Sequence, residues 1–160
     1  MMRTKTSALF CYCGWAGGLL AHGQEDDEVR ALAEFGERAG TAFQLQDDVL
    51  GLVGSEKKLG KPVGNDLREG KRTLIVALAW TRAGEAERAQ LSAVLGHDDA
   101  SHEEIAAATA LLRRLGAIDD VKAMAARYLR DALQCLDILP ETDGVRLLRE
   151  LAETMVKREK

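Results

Sequence analysis

The stretch Phe43-Gln44-Leu45-Gln46-Asp47-Asp48-Val49-Leu50-Gly51 decides how the rest of the chain is read. At 3.6 residues per turn, Gln44, Asp47, Asp48 and Gly51 fall on one broad helical face, so an amide and two carboxylates project together from a largely apolar helix. Adjacent carboxylates repel unless a cation lies between them. Mg²⁺ suits that position, because it takes one or two carboxylates and leaves its remaining positions to water and substrate phosphates. A solvated helix face is the other reading of the same pair.

Moving outward, almost every segment repeats apolar residues at three and four, and alternating β-branched runs are missing, which predicts an all-α chain of six or so helices. The first covers Thr4 to Ala21. The acidic run Glu25-Asp26-Asp27-Glu28 opens a second, which continues to Val53. Gly51, Gly54, Gly60, Pro62 and Gly64 then hold open a basic loop. Asp66, with Glu69 three residues on, marks the N-cap of a third helix from Leu67 to Arg82. Gly84 and Gly96 bracket a short helix containing Ala89, Leu91, Val94 and Leu95. Ser101 and Glu104 form a capping box before a helix from Ile105 to Leu115, Gly116 ends it, and a long helix from Ala117 to Leu139 stops at Pro140. Val145 to Val156 closes the series. No repeat, low-complexity tract or linker divides residues 1–160, which are expected to form a single domain unit.

Composition removes several function classes. With 160 residues and a formal charge of −4, no global basic field exists to hold nucleic acid. Aromatics make up 4%, so the core must come from Leu, Ala, Val and Ile. Cys11 and Cys13 form a C-x-C without further soft ligands, and Cys135 lies in an apolar helical pattern; all three read as small buried hydrophobes in a reducing cytoplasm. The apolar run Ser7 to Ala21 is interrupted by glycines and too short to span a bilayer.

The loop after the aspartates sharpens the chemistry. Lys57, Lys58, Lys61, Arg68, Lys71 and Arg72 lie within 16 residues, among glycines that let backbone approach a ligand. A cationic, glycine-containing loop beside a carboxylate pair suits a metal-diphosphate, with a solvated surface loop as the alternative. Gly54 to Lys61 is not a Walker loop, because five residues separate its glycines and Pro62 stands where a hydroxyl residue would hold Mg²⁺.

The string Phe43 to Gly51, followed by Leu59-Gly60-Lys61-Pro62-Val63-Gly64-Asn65-Asp66-Leu67-Arg68-Glu69-Gly70-Lys71-Arg72-Thr73-Leu74, closely resembles the second aspartate-rich region of the all-trans polyprenyl diphosphate synthases. Lys5-Thr6 ahead of Ser7-Ala8-Leu9 resembles that family's Lys-Thr phosphate contact. The resemblance implies the all-helical isoprenoid synthase fold and a head-to-tail prenyl transfer, in which an allylic diphosphate ionises and isopentenyl diphosphate attacks the carbocation. It implies Asp47 as principal Mg²⁺ ligand and Asp48 acting mainly through ordered water. Lys5, Thr6 and Lys61 would hold the allylic diphosphate, Gln44 would orient the diphosphate or the carbocation, Lys71 would support the phosphate region, and Phe43 would pack near the isopentenyl site.

The commonest form of the motif is D-D-x-x-D, and Gly51 stands at its third acid; some members making C20 chains resemble the D-D-x-x-G form. The family's first aspartate-rich motif has no counterpart here, so the chain is expected to be the C-terminal half of a synthase domain. It would form a homo-oligomer or pair with an N-terminal half or a full-length synthase, with the Ser7 to Ala21 helix as a contact face. A non-catalytic or regulatory short subunit is the alternative.

Other residues carry less. His22, His97 and His102 are scattered without zinc-site pairing and read as surface or capping groups. Asp119-Asp120 answers a helix dipole, Arg113-Arg114 reads as a solvated helix end, and Trp15 and Trp80 read as core.

Overall fold

A computed structural model describes residues 6–54 and 64–156 and shows the expected all-α architecture, with no strand among the described residues. Eight α-helices are described: α1 (Thr6–His22), α2 (Asp27–Val53), α3 (Asn65–Arg68), α4 (Leu74–Arg82), α5 (Glu85–Ser92), α6 (His102–Arg114), α7 (Ala117–Cys135) and α8 (Asp143–Val156). A 3₁₀ turn, Leu136–Ile138, ends the long helix one turn before Pro140. The described residues fall into two compact units, 6–46 with 124–156 and 47–54 with 64–123.

In the first unit, α1 and α2 approach closely because glycines remove side chains from both. A Cβ at Gly14 would lie 2.2 Å from the Leu32 carbonyl oxygen, and one at Gly36 would lie 2.2 Å from that of Phe10. Gly18 and Gly40 continue the contact one turn further along each helix, against Val29 and Ser7. Buried Val29, Phe35, Ala39, Ala42 and Leu45 follow the helical period along α2, and Val145, Ala152 and Met155 do so along α8. The outer side of α1 stays apolar and exposed at Leu9, Tyr12 and Leu20.

Two expectations about α1 need correction. Cys13 is exposed and Cys11 only half-buried, because this helix is apolar all round and its small residues, not its cysteines, take the inner face. Burial still pushes the thiols of Cys11 and Cys135 above the ordinary range.

In the second unit, buried Ile75, Leu91, Val94, Ile105, Leu112 and Ile118 supply the core. The Ser101–Glu104 capping box forms as expected, with Glu104 accepting from the Ser101 N–H at 2.8 Å. Trp80 is not core. It is 39% exposed, with the Arg88 guanidinium over its ring. Arg114 pairs with Glu87 at 2.7 Å and Arg82 with Asp120, so these helix ends are tied by charge.

The expected single helix from Leu67 to Arg82 is instead two. Helix α3 stops after four residues, Gly70 turns the chain with φ +67°, and Thr73 caps α4 by accepting from the Val76 N–H. A Cβ at Gly70 would meet Gly96 at 3.1 Å, so both the left-handed backbone and a neighbour distant in sequence favour glycine at the break. Asp66 therefore lies inside α3 rather than at its N-cap.

Candidate metal and diphosphate site

Helix α2 carries the aspartate pair, and its period gives the two acids opposite environments. Asp47 is exposed and makes no hydrogen bond or ion pair among the described residues. Asp48, one residue on, is 3% exposed. Its Oδ1 accepts a 2.9 Å hydrogen bond from Nζ of Lys71, which also donates to Oδ2 of Asp66 at 2.8 Å.

The break after α3 is what delivers Lys71 to this point. Its backbone N–H donates to the Asp66 carbonyl oxygen at 2.9 Å, so main chain and side chain fold back on the same aspartate. Asp66 in turn reaches α2 because Gly51 has no side chain: a Cβ there would lie 3.2 Å from Asp66 Oδ2. The Gly64 N–H donating to the Gly51 carbonyl at 2.8 Å fixes the same approach. The position that differs from D-D-x-x-D is thus where a second buried carboxylate enters from another segment. Burial opposes the charge on Lys71, but the hydrogen bonds it donates to Asp66 and Asp48 outweigh that and hold the ammonium well above the ordinary lysine range.

In the first unit, the Thr6 hydroxyl donates to Oε1 of Gln44 at 2.7 Å, joining the start of α1 to α2. Phe43 stacks with Phe10, ring centroids 6.2 Å apart. Lys5 and Lys61 lie outside the described residues, as do Lys57 and Lys58. Sequence reasoning assigned Asp66 only a capping role. The signal that could have found its true position is the Gly70-Lys71 pair, since a glycine four residues after an aspartate can turn the next lysine back onto it.

Among the described residues, no group of three or more His, Cys, Asp or Glu side chains is placed to cage a metal. That donor set fits Mg²⁺ all the same, because this ion is held by one or two carboxylates with water and phosphate oxygens completing its octahedron. No described helix is long and apolar enough to cross a membrane.

The chain belongs to the polyprenyl synthetase family, whose model matches residues 1–112. It is 38% identical to a short chain isoprenyl diphosphate synthase of Methanothermobacter thermautotrophicus, over 99% of this chain and 48% of that protein. It is 39% identical to heptaprenyl diphosphate synthase component 2 of Geobacillus stearothermophilus, over 99% of this chain and 48% of the relative. The crystal structure of geranylgeranyl pyrophosphate synthetase from Pyrococcus horikoshii superposes with a TM-score of 0.91 at 38% identity, covering 99% of this chain and 48% of that one. The family and these relatives are prenyltransferases. The chain spans about half the length of the curated relatives it matches.

Proposed function

We propose that these 160 residues supply the second-aspartate portion of a polyprenyl diphosphate synthase that joins an allylic prenyl diphosphate to isopentenyl diphosphate, head to tail. In that reaction the allylic C–O bond breaks and its electron pair leaves with diphosphate. The isopentenyl double bond attacks the carbocation, and proton loss restores an alkene. Mg²⁺, when bound, supplies positive charge to the leaving diphosphate.

Asp47 would hold the metal directly, and Asp48 would act through ordered water. Lys71 supports the phosphate region by holding Asp48 and Asp66 in place. Thr6, Lys5 and Lys61 bind the allylic diphosphate. Gln44, whose amide oxygen accepts from the Thr6 hydroxyl, orients the diphosphate or the carbocation. Phe43 belongs to the isopentenyl side.

The observation that carries this reading is the contrast between Asp47, exposed and without a partner among the described residues, and Asp48, buried and held by Lys71. Helical periodicity alone exposes one acid and turns the other inward, but a solvated helix face gives no reason for the inner carboxylate to be held by a lysine at 2.9 Å. Calorimetry tests it: pyrophosphate binding should require Mg²⁺ and disappear in Asp47→Ala, whereas equal binding by that variant removes the site.

A partner polypeptide completes the enzyme in this proposal. The Geobacillus relative is named as one component of a synthase, and α1 exposes Leu9, Tyr12 and Leu20 beside a cavity of about 430 Å³ lined by Ala8, Cys11, Tyr12, Trp15 and Glu37. The three free thiols support a cytoplasmic setting.

A further inference from the structure

The Asp48–Lys71–Asp66 cluster does more than the proposed transfer requires of it. Two carboxylates from segments 18 residues apart, with side chains 5% and 10% exposed, converge on a single ammonium nitrogen at 2.9 and 2.8 Å. Buried carboxylates that converge on one point offer the hard oxygen ligands a divalent cation takes. Here a monovalent cation fills that point, and it is covalently part of the chain. The left-handed Gly70, the Lys71 N–H bond to Asp66 and the bare Cα of Gly51 all serve to bring the three groups together.

We propose that Lys71 is a tethered cation that closes the Asp48/Asp66 carboxylate pair to divalent metal, leaving Asp47 as the member of the aspartate pair offered to an ion. Asp66 is then a positioning residue: it holds Lys71, which holds Asp48. A single exposed carboxylate retains a hydrated divalent ion weakly, so metal would be captured only together with diphosphate. This last consequence rests on the proposed role of Asp47. The closure itself rests on the Asp48, Asp66 and Lys71 geometry alone.

Mn²⁺ without diphosphate, followed by electron paramagnetic resonance of the free ion and by thermal unfolding, separates closure from an ordinary ion pair. Lys71→Ala should bind Mn²⁺ about tenfold or more tighter than the unsubstituted chain, because removing a unit positive charge a few ångströms from a cation is worth at least that. Its melting temperature should rise with MnCl₂ while that of the unsubstituted chain does not. Adding Asp66→Asn should remove the gain, and adding Asp47→Asn should leave it, so failure of pyrophosphate binding at Asp47 is a separate result. If Lys71→Ala loses its helical circular dichroism, MnCl₂ should restore it. No gain in Lys71→Ala, a gain that persists with Asp66→Asn, or an unfolded variant that Mn²⁺ does not restore overturns the proposal.

Discussion

The Thr6 hydroxyl and the Gln44 amide oxygen share a 2.7 Å hydrogen bond across 38 residues of sequence. Only the acceptor half of the amide is used by this bond, so Gln44→Glu keeps an oxygen for Thr6 while replacing the NH₂ donor with negative charge. That variant should weaken Mg²⁺-dependent pyrophosphate binding by about tenfold, as expected for a like charge near phosphate. Thr6→Val should instead lower stability by about 1 kcal/mol through the lost hydrogen bond. Denaturant titration and calorimetry on the two variants check the separation.

Asp47 and Asp48 should respond differently to the same isosteric change. Asp47→Asn should leave stability within about 0.5 kcal/mol, since a change at an exposed surface position has little effect. Asp48→Asn should cost about 1–3 kcal/mol, less than a fully buried broken pair because Lys71 is itself partly exposed. The lysine's pKa is raised above 10.5, so the lysine's contribution is complete below that pH and fades as pH rises through the raised value. The Asp48→Asn penalty should therefore be flat through neutral pH in urea titrations.

Glycine substitutions should discriminate among positions on α1 and α2. Gly36→Ala would place a Cβ 2.2 Å from the Phe10 carbonyl oxygen and should destabilise by about 1–3 kcal/mol or more, because backbone must move. Gly17 has open space around it, and Gly17→Ala should stabilise by roughly 0.5–1 kcal/mol through helix propensity. Opposite shifts in thermal midpoint are the expected outcome.

His22 should titrate above its ordinary 6.5, because Asp26 hydrogen-bonds its ring at 2.7 Å. Asp26 is correspondingly lowered from 3.8 by the same bond. The histidine's contribution is present below 6.5 and lost as pH rises through its raised value, while that of Asp26 is lost as pH falls through its lowered one. The link between α1 and α2 is thus strongest in mildly acidic solution. An NMR titration of the His22 ring should show the elevated midpoint, and Asp26→Asn should return it toward 6.5.

Local signals made much of this molecule legible. The Ser101–Glu104 box, the extent of α2 and the stop before Pro140 depend on residues within a turn or two, where side-chain caps and periodicity act directly. Asp66 with Glu69 carries a local capping pattern, whereas its pairing with Lys71 depends on the left-handed turn at Gly70, a helix-ending glycine inside the stretch that reads as one helix. The inner face of α1 was hidden for another reason. A helix apolar on every side has no period to read, so the glycines that meet α2 could be recognised only once α2 was in place. In the aspartate region the pairing of carboxylates was visible, but the division of labour between Asp47 and Asp48 depends on a lysine 23 residues away.

The most direct test of the central claim is transfer of radiolabelled isopentenyl diphosphate to farnesyl diphosphate in the presence of Mg²⁺. The assay compares the 160-residue chain alone with the same chain joined to the part of the Methanothermobacter synthase that it does not match. No elongation by the chain alone is expected, because one aspartate pair anchors too little positive charge to stabilise a departing diphosphate. The joined protein should elongate, and Asp47→Ala within it should reduce the rate by about a hundredfold or more. Elongation by the purified chain alone that Asp47→Ala abolishes, or a joined enzyme indifferent to that substitution, would contradict the claim.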